Sequence, residues 1–148
     1  MWVVIPVKDI DAAKQRLSGV LDARERRALF TAMLEDVLAE VANVKGCDAV
    51  ALVTRDPIAH DLAATHGFEV IEDQTNAGHT EAVNIAITHL QGLGAGGMVT
   101  FPGDVPLVTT AEIETLLAAH ESRGGMTIAP SRDKRGSNAV VLTPPNAV

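Results

Sequence analysis

Asp104 stands in the run Val99-Thr100-Phe101-Pro102-Gly103-Asp104-Val105-Pro106, where an apolar stretch ends in a glycine and then a single acid among turn-forming residues. Gly103 lets the backbone turn sharply and Pro106 stiffens the loop beyond the acid, so the carboxylate is presented at a strand's end with little freedom. Such an acid is the hard oxygen ligand that Mg²⁺ takes, one or two at a time, together with substrate phosphates. The same acid could instead start a turn or cap the next helix. Cations able to answer phosphates lie far away in sequence: Lys8, Lys14 and Arg16 come just after the first apolar run, Trp2 to Val7. If that run is a strand whose carboxyl end borders the same crevice, these side chains reach a triphosphate there; solvated surface cations are the alternative. Neither G-x-G-x-x-G nor G-x-x-x-x-G-K-[ST] follows the run, so phosphates must be gripped without those glycine cradles.

Other chemistry finds little support. His60, His66, His79, His89 and His120 show no metal-ligand spacing, and only His79 falls in a candidate site loop. No G-x-S-x-G elbow surrounds any serine, and Cys47 opens a strand, so a protein nucleophile is not expected. Asp9 and Asp11 read as solvated loop acids, and Arg24, Arg26 and Arg27 as the wet face of a helix. A formal net charge of -7 argues against nucleic acid as a partner. Two local basic clusters, one early and one at Arg132, Lys134 and Arg135, suit a small polyanion better. The lone Cys47 favours a reducing compartment, and with no signal-like or spanning segment the expectation is a cytoplasmic protein that inserts in no membrane.

The elements that must position these residues follow from periodicity and caps. Strands are predicted at Trp2 to Val7, Asp48 to Thr54, Phe68 to Ile71, Met98 to Pro102, Met126 to Pro130 and Asn138 to Leu142. Asp22 caps a helix through about Asn43 on which Leu29, Met33, Val37 and Val41 recur at helical spacing. Asp56-Pro57 opens a second helix that Gly67 ends, Thr80 caps a third, and Thr109 with Glu112 forms a capping box for a fourth. At 148 residues this is one domain, and the alternation of strands and helices predicts an α/β fold with a mostly parallel sheet covered on both faces.

Taken in order, Ile5-Pro6-Val7-Lys8, Ala13-Lys14-Gln15-Arg16-Leu17, Gly78-His79 with Asn84, Gly103-Asp104-Val105-Pro106 and Arg132 to Ala139 span nearly the whole chain. The series resembles the guanylyltransferases of coenzyme F-420 biosynthesis, which activate 2-phospho-L-lactate or phosphoenolpyruvate with GTP and share a P-V-K start, a spaced A-K-x-R-L, a G-D-L-P turn and a late D-R-x-G-T-G-T/N-A loop. The resemblance implies a three-layer α/β/α nucleotidyltransferase fold related to the GT-A glycosyltransferases, and transfer of GMP with release of pyrophosphate. It also implies a metal, Mg²⁺, on Asp104. Lys8, Lys14 and Arg16 are implied for the triphosphate, Gly78, His79, Asn84 and Gly103 for GTP, and Gly136, Ser137 and Asn138 for the acceptor phosphate. A downstream transferase and a second copy of the chain are among the partners it allows. Two departures stand out. Lys134-Arg135-Gly136-Ser137-Asn138 is more basic than the family's loop. Family members also continue to a D-x-D-T-P-like segment, so residues 1–148 are expected to be one nucleotidyltransferase domain shortened at its carboxyl end. The alternatives are a nucleotidyltransferase acting on 3-phosphoglycerate, a sugar phosphate or molybdopterin, and a non-catalytic α/β nucleotide-binding module.

Overall fold

Val3, Val4 and Ile5 are fully buried in consecutive positions, as a strand covered on both faces requires. They lie at the centre of a six-stranded sheet of order β3-β2-β1-β4-β6-β5. The computed structural model describes residues 1–12 and 15–147. Its strands are β1 (Trp2–Pro6), β2 (Ala49–Thr54), β3 (Glu69–Glu72), β4 (Met98–Thr100), β5 (Gly125–Pro130) and β6 (Ser137–Thr143). The first four run parallel. β6 runs antiparallel to β4 and pairs with β5 as a hairpin around residues 131–136. The α/β fold with a mostly parallel sheet is therefore present, its antiparallel part confined to one edge.

Four helices are seen among the described residues: α1 (Ala23–Val41), α2 (Pro57–His66), α3 (His79–Gly92) and α4 (Thr110–Glu121). On one face Leu34, Leu38, Ala59, Ala63, Ile113 and Leu117 of α1, α2 and α4 pack against Val3, Ile5, Leu52 and Val99. On the other face Ala82, Ala86 and Leu90 of α3 pack against Val4, Ala51, Val53 and Met98. None of the described helices is long and apolar enough to cross a membrane.

Side chains set three of the helix starts. Asp22 with Glu25 and Thr109 with Glu112 form reciprocal capping boxes, satisfying amides that no helical carbonyl reaches. Asp56 accepts from Ile58 N at 2.8 Å and Ala59 N at 3.3 Å, and Pro57 occupies the first turn. The third helix departs from expectation. Its N-cap is Gly78 rather than Thr80, at φ 116° and with no side-chain cap. That backbone conformation suits glycine alone, so it starts the helix at His79 and leaves Thr80 inside the first turn.

Tertiary hydrogen bonds fasten the loop after β1. Val7 N donates to Val53 O at 2.9 Å, and Ile10 N donates to Asp56 Oδ2 at 2.8 Å. Short 3₁₀ turns follow at Ile10–Ala12 and Gln15–Leu17. The acids of this loop are not simply solvated as expected. Asp9 takes a two-pronged contact from Arg55, with Nη2 to Oδ2 at 2.7 Å and Nε to Oδ1 at 3.0 Å. Asp11 is paired with Arg27, which therefore does more than wet a helix face.

Gly97, just before β4, shows how closely the two halves of the sheet approach. A β-carbon there would lie 2.6 Å from the Leu142 carbonyl oxygen and 2.7 Å from Thr143 Oγ1. Because a strand carbonyl cannot swing aside, Gly97→Ala is expected to destabilise the fold by about 1–3 kcal/mol. Urea unfolding followed by circular dichroism measures this, and an unchanged midpoint contradicts it.

Candidate functional site

The chain builds β1, β2 and β3 outward to one side and then returns to place β4 on the other side of β1. In open parallel sheets the loops part at such a reversal and leave a crevice beyond the carboxyl ends of the strands. A pocket of about 300 Å³ opens there. Lys8 enters it from the end of β1, Gly78 and His79 from the start of α3, and Gly103 and Asp104 from the loop after β4, with Val7 and Phe30 supplying apolar wall.

Each contribution has a local cause. Gly103 is buried because the loop after β4 lies down on β1 and α1. A β-carbon at Gly103 would stand 3.0 Å from Leu34 Cδ1 and 3.4 Å from Ile5 Cγ2. This contact brings Asp104 over the pocket. α3 carries no side-chain cap, so its first-turn amides, unlike those of the other helices, are not taken by a capping side chain. Gly78, His79 and Ala82 of that end line the pocket, and a helix N-terminus favours anions.

His79 reports the field in the pocket. Partial desolvation, and then the Lys8 ammonium, hold its imidazole below the ordinary value of 6.5, while the Asp104 carboxylate pulls the other way. His79 is therefore neutral near pH 7, able to donate from one ring nitrogen and accept at the other. Asp9 borders this region, but Arg55 closes on it and holds its carboxyl below the usual range. Among the described residues no three His, Cys, Asp or Glu side chains come together as a metal site. Two carboxylates line the pocket, the half-buried Asp104 and the buried Asp73, and Asp104, on the loop after β4, is the one assigned to a divalent ion. That donor set fits an ion that completes its shell with substrate phosphates and water, as Mg²⁺ does.

Lys8, Gly78, His79, Gly103 and Asp104 thus meet in one pocket. Arg16 is exposed on the second 3₁₀ turn and is not among the lining residues. Lys14 lies outside the described residues. Asn84 sits further along α3 and lines a separate shallow depression with Ile71 and Glu72. Gly136, Ser137 and Asn138 are exposed where the β5–β6 hairpin enters β6. β6 is antiparallel to β4, with Thr100 opposite Val140, so its start shares the sheet edge at which β4 ends. Asn138 lines a second, mostly apolar cleft of about 420 Å³ with Phe101, Val105 and Ile113. Sequence reasoning missed Asp73. It follows β3, is 4 % exposed and lines the first pocket. The available signal was weak: Asp73 is the second of two consecutive acids at the end of the short run Glu69-Val70-Ile71-Glu72.

Comparison with known proteins shows the family and the fold. A family described as guanylyl transferase CofC like matches residues 1–148. A phosphoenolpyruvate guanylyltransferase of Conexibacter woesei is 34% identical over 148 residues, covering 99% of this chain and 66% of the relative. One of Sphaerobacter thermophilus is 34% identical over 145 residues, covering 98% and 69%. The chain therefore spans about two thirds of the length of these relatives. Among solved structures, a Desulfovibrio desulfuricans G20 protein described as a nucleotide-diphospho-sugar transferase superposes with a TM-score of 0.78 at 15% identity, over 99% of this chain and 64% of that one. A 4-diphosphocytidyl-2C-methyl-D-erythritol synthase of Anaerococcus prevotii gives 0.64 at 12% identity, over 96% and 70%. The fold is shared with both.

The opposed influences on His79 can be measured. In a proton NMR titration its imidazole should titrate below 6.5. Lys8→Met should move that midpoint up, and Asp104→Asn should move it further down. The unfolded chain holds the His79 proton more tightly than the folded one, so His79 lowers stability once pH drops below about 6.5 and until its lower folded value is passed. In urea unfolding, His79→Gln should accordingly be less acid-sensitive than the parent across that window. A midpoint indifferent to both neighbours would remove His79 from the pocket's field.

Proposed function

Because the chain belongs to the CofC-like guanylyl transferase family, we propose that it transfers the guanylyl group of GTP to the phosphate of a small phosphorylated acid, with release of pyrophosphate, in the cytoplasmic synthesis of coenzyme F-420. Phosphoenolpyruvate is the first candidate acceptor, from the names of the relatives, with 2-phospho-L-lactate as the second. The carrying observation is the meeting of Lys8 and Asp104, 96 positions apart in sequence, in one pocket where the strand order reverses.

The reaction asks the protein for placement and charge rather than for a nucleophile. An oxygen of the acceptor phosphate attacks the α-phosphorus of GTP. A new P–O bond forms as the bond to the bridging oxygen breaks, and that oxygen departs on pyrophosphate. Lys8 lies where it can neutralise the leaving pyrophosphate, with Lys14 and Arg16 assigned to the same task from the segment beyond it. The start of α3 supplies backbone N–H groups to phosphate oxygens, and neutral His79 adds a donor without adding charge. A divalent ion held by Asp104, taken here as Mg²⁺, would supply further neutralisation of phosphate charge when bound. Gly136, Ser137 and Asn138, exposed at the same sheet edge, are assigned to the acceptor phosphate. Most of the rate then comes from holding the two phosphates in line.

The experiment is pyrophosphate release by the full-length gene product with Mg²⁺ and GTP, offered phosphoenolpyruvate, 2-phospho-L-lactate and 3-phosphoglycerate in turn. Turnover is expected with one of the first two; turnover only with the third, or with none, refutes the acceptor assignment. Asp104→Asn should lower kcat by about 10²–10³-fold or more while the thermal midpoint stays close to the parent's. Lys8→Met should raise the KM for GTP, and an unchanged KM would take Lys8 off the triphosphate.

A further inference from the structure

We infer that Asp73 is the residue that selects the base, its Oδ2 accepting from the N1–H and exocyclic amino edge of guanine; this rests on the pocket being a GTP site. The residue is 4 % exposed and lines the pocket shared by Lys8, His79 and Asp104. A buried carboxylate persists where its oxygens are matched by donors. One of them is. Oδ1 accepts from Asn76 N at 2.9 Å, Thr75 Oγ1 at 3.2 Å and Thr75 N at 3.3 Å, an arrangement that fixes the plane of the group. Among the described residues no donor reaches Oδ2. Arg55 is near enough for Asp73 to favour its charged form, but its fork is closed on Asp9. The result is a rigid acceptor with one oxygen unmatched, on the wall of a binding pocket.

Placement identifies the donor. Asp73 N still bonds to Thr54 O at 3.2 Å, so the residue stays in line with β3 at its carboxyl end. The loop bearing Asp104 lies over β1 beside β4, two to three inter-strand spacings away, or roughly 10–14 Å. With the phosphates at Lys8 and Asp104, the ribose hydroxyls fall only a few bonds from the α-phosphorus and the base edge at the far end of the nucleotide. Guanine presents two adjacent N–H donors on that edge. Adenine presents the N1 lone pair, which a carboxylate repels, and hypoxanthine lacks the amino group. A buried acceptor left unmatched by the wrong base is a strong source of discrimination.

Calorimetric binding of GTP, ITP, ATP and xanthosine triphosphate to the full-length gene product, with pyrophosphate release alongside, tests this. The parent should bind GTP at least about tenfold more tightly than ITP or ATP. Asp73→Asn keeps an oxygen for Thr75 and Asn76 but turns the other position into a donor. It should cut the GTP preference to within a fewfold and gain affinity for xanthosine triphosphate, whose C2 carbonyl accepts where guanine donates. An Asn variant with the parent's preference overturns the proposal. So does equal binding of GTP and ITP by the parent, a result that stands even if the variant fails to fold. Loss of discrimination against 2′-deoxy-GTP alone moves Asp73 to the ribose and likewise overturns it. Base-selective binding without turnover would sink the transfer reaction and leave the role of Asp73 standing. No binding of any nucleotide sinks both.

Discussion

The structure depends on the parting of loops above β1, where the chain has finished building to one side and resumes on the other. Backbone groups at the ends of these parallel strands cannot all be matched within the sheet. The loops leaving β1 and β4 lead to α1 and α4 on one layer, the loop leaving β3 leads to α3 on the other, and a polar crevice is left beyond the strand ends. The polar groups of this pocket arrive from several strand ends: a lysine after the first strand, an acid after the third, a glycine-started helix from the far layer, and an acid after the fourth strand. The core below is aliphatic and buried on both faces, so the crevice has a stiff floor. Stiffness matters for a reaction whose main requirement is alignment.

The surrounding charges are sorted so that few compete for the pocket. Asp9 and Asp11, which lie just beyond Lys8 in sequence, are matched by Arg55 and Arg27. Without those partners two more carboxylates would stand beside the proposed phosphate site and repel the ligand that Lys8 attracts. The balance of signs that results is recorded by His79, which feels desolvation and a cation above the pull of a carboxylate.

Local physics made much of this legible in sequence. Asp22, Asp56 and Thr109 announce their helices because a cap needs only residues two or three positions away. Asp104 was legible because a glycine and a proline bracket it, and Lys8 because it ends an unmistakable buried strand. What escaped depends on distance along the chain. The partner of Asp9 lies 46 positions away, and nothing near Asp9 or Asp11 foretells their arginines. The start of α3 was misplaced because Thr80 offers a hydroxyl while Gly78 offers only an unusual backbone angle. Asp73 follows a short strand edged by Glu69 and Glu72 and lacks the glycine and proline that bracket Asp104, so only its burial beside the pocket sets it apart. The site was thus readable as a set of charged strand ends, whereas which residues share one pocket was not: Asn84 and Asn138 line depressions separate from the one that holds Lys8 and Asp104.

One carboxylate, that of Asp56, does two things at once. Its Oδ1 caps α2, and its Oδ2 holds the amide of Ile10. The amides of Ile10, Ile58 and Ala59 therefore share one acceptor group. Removing that one side chain would free the first turn of α2 and the amide of Ile10 together, coupling a helix start to the loop beyond Lys8.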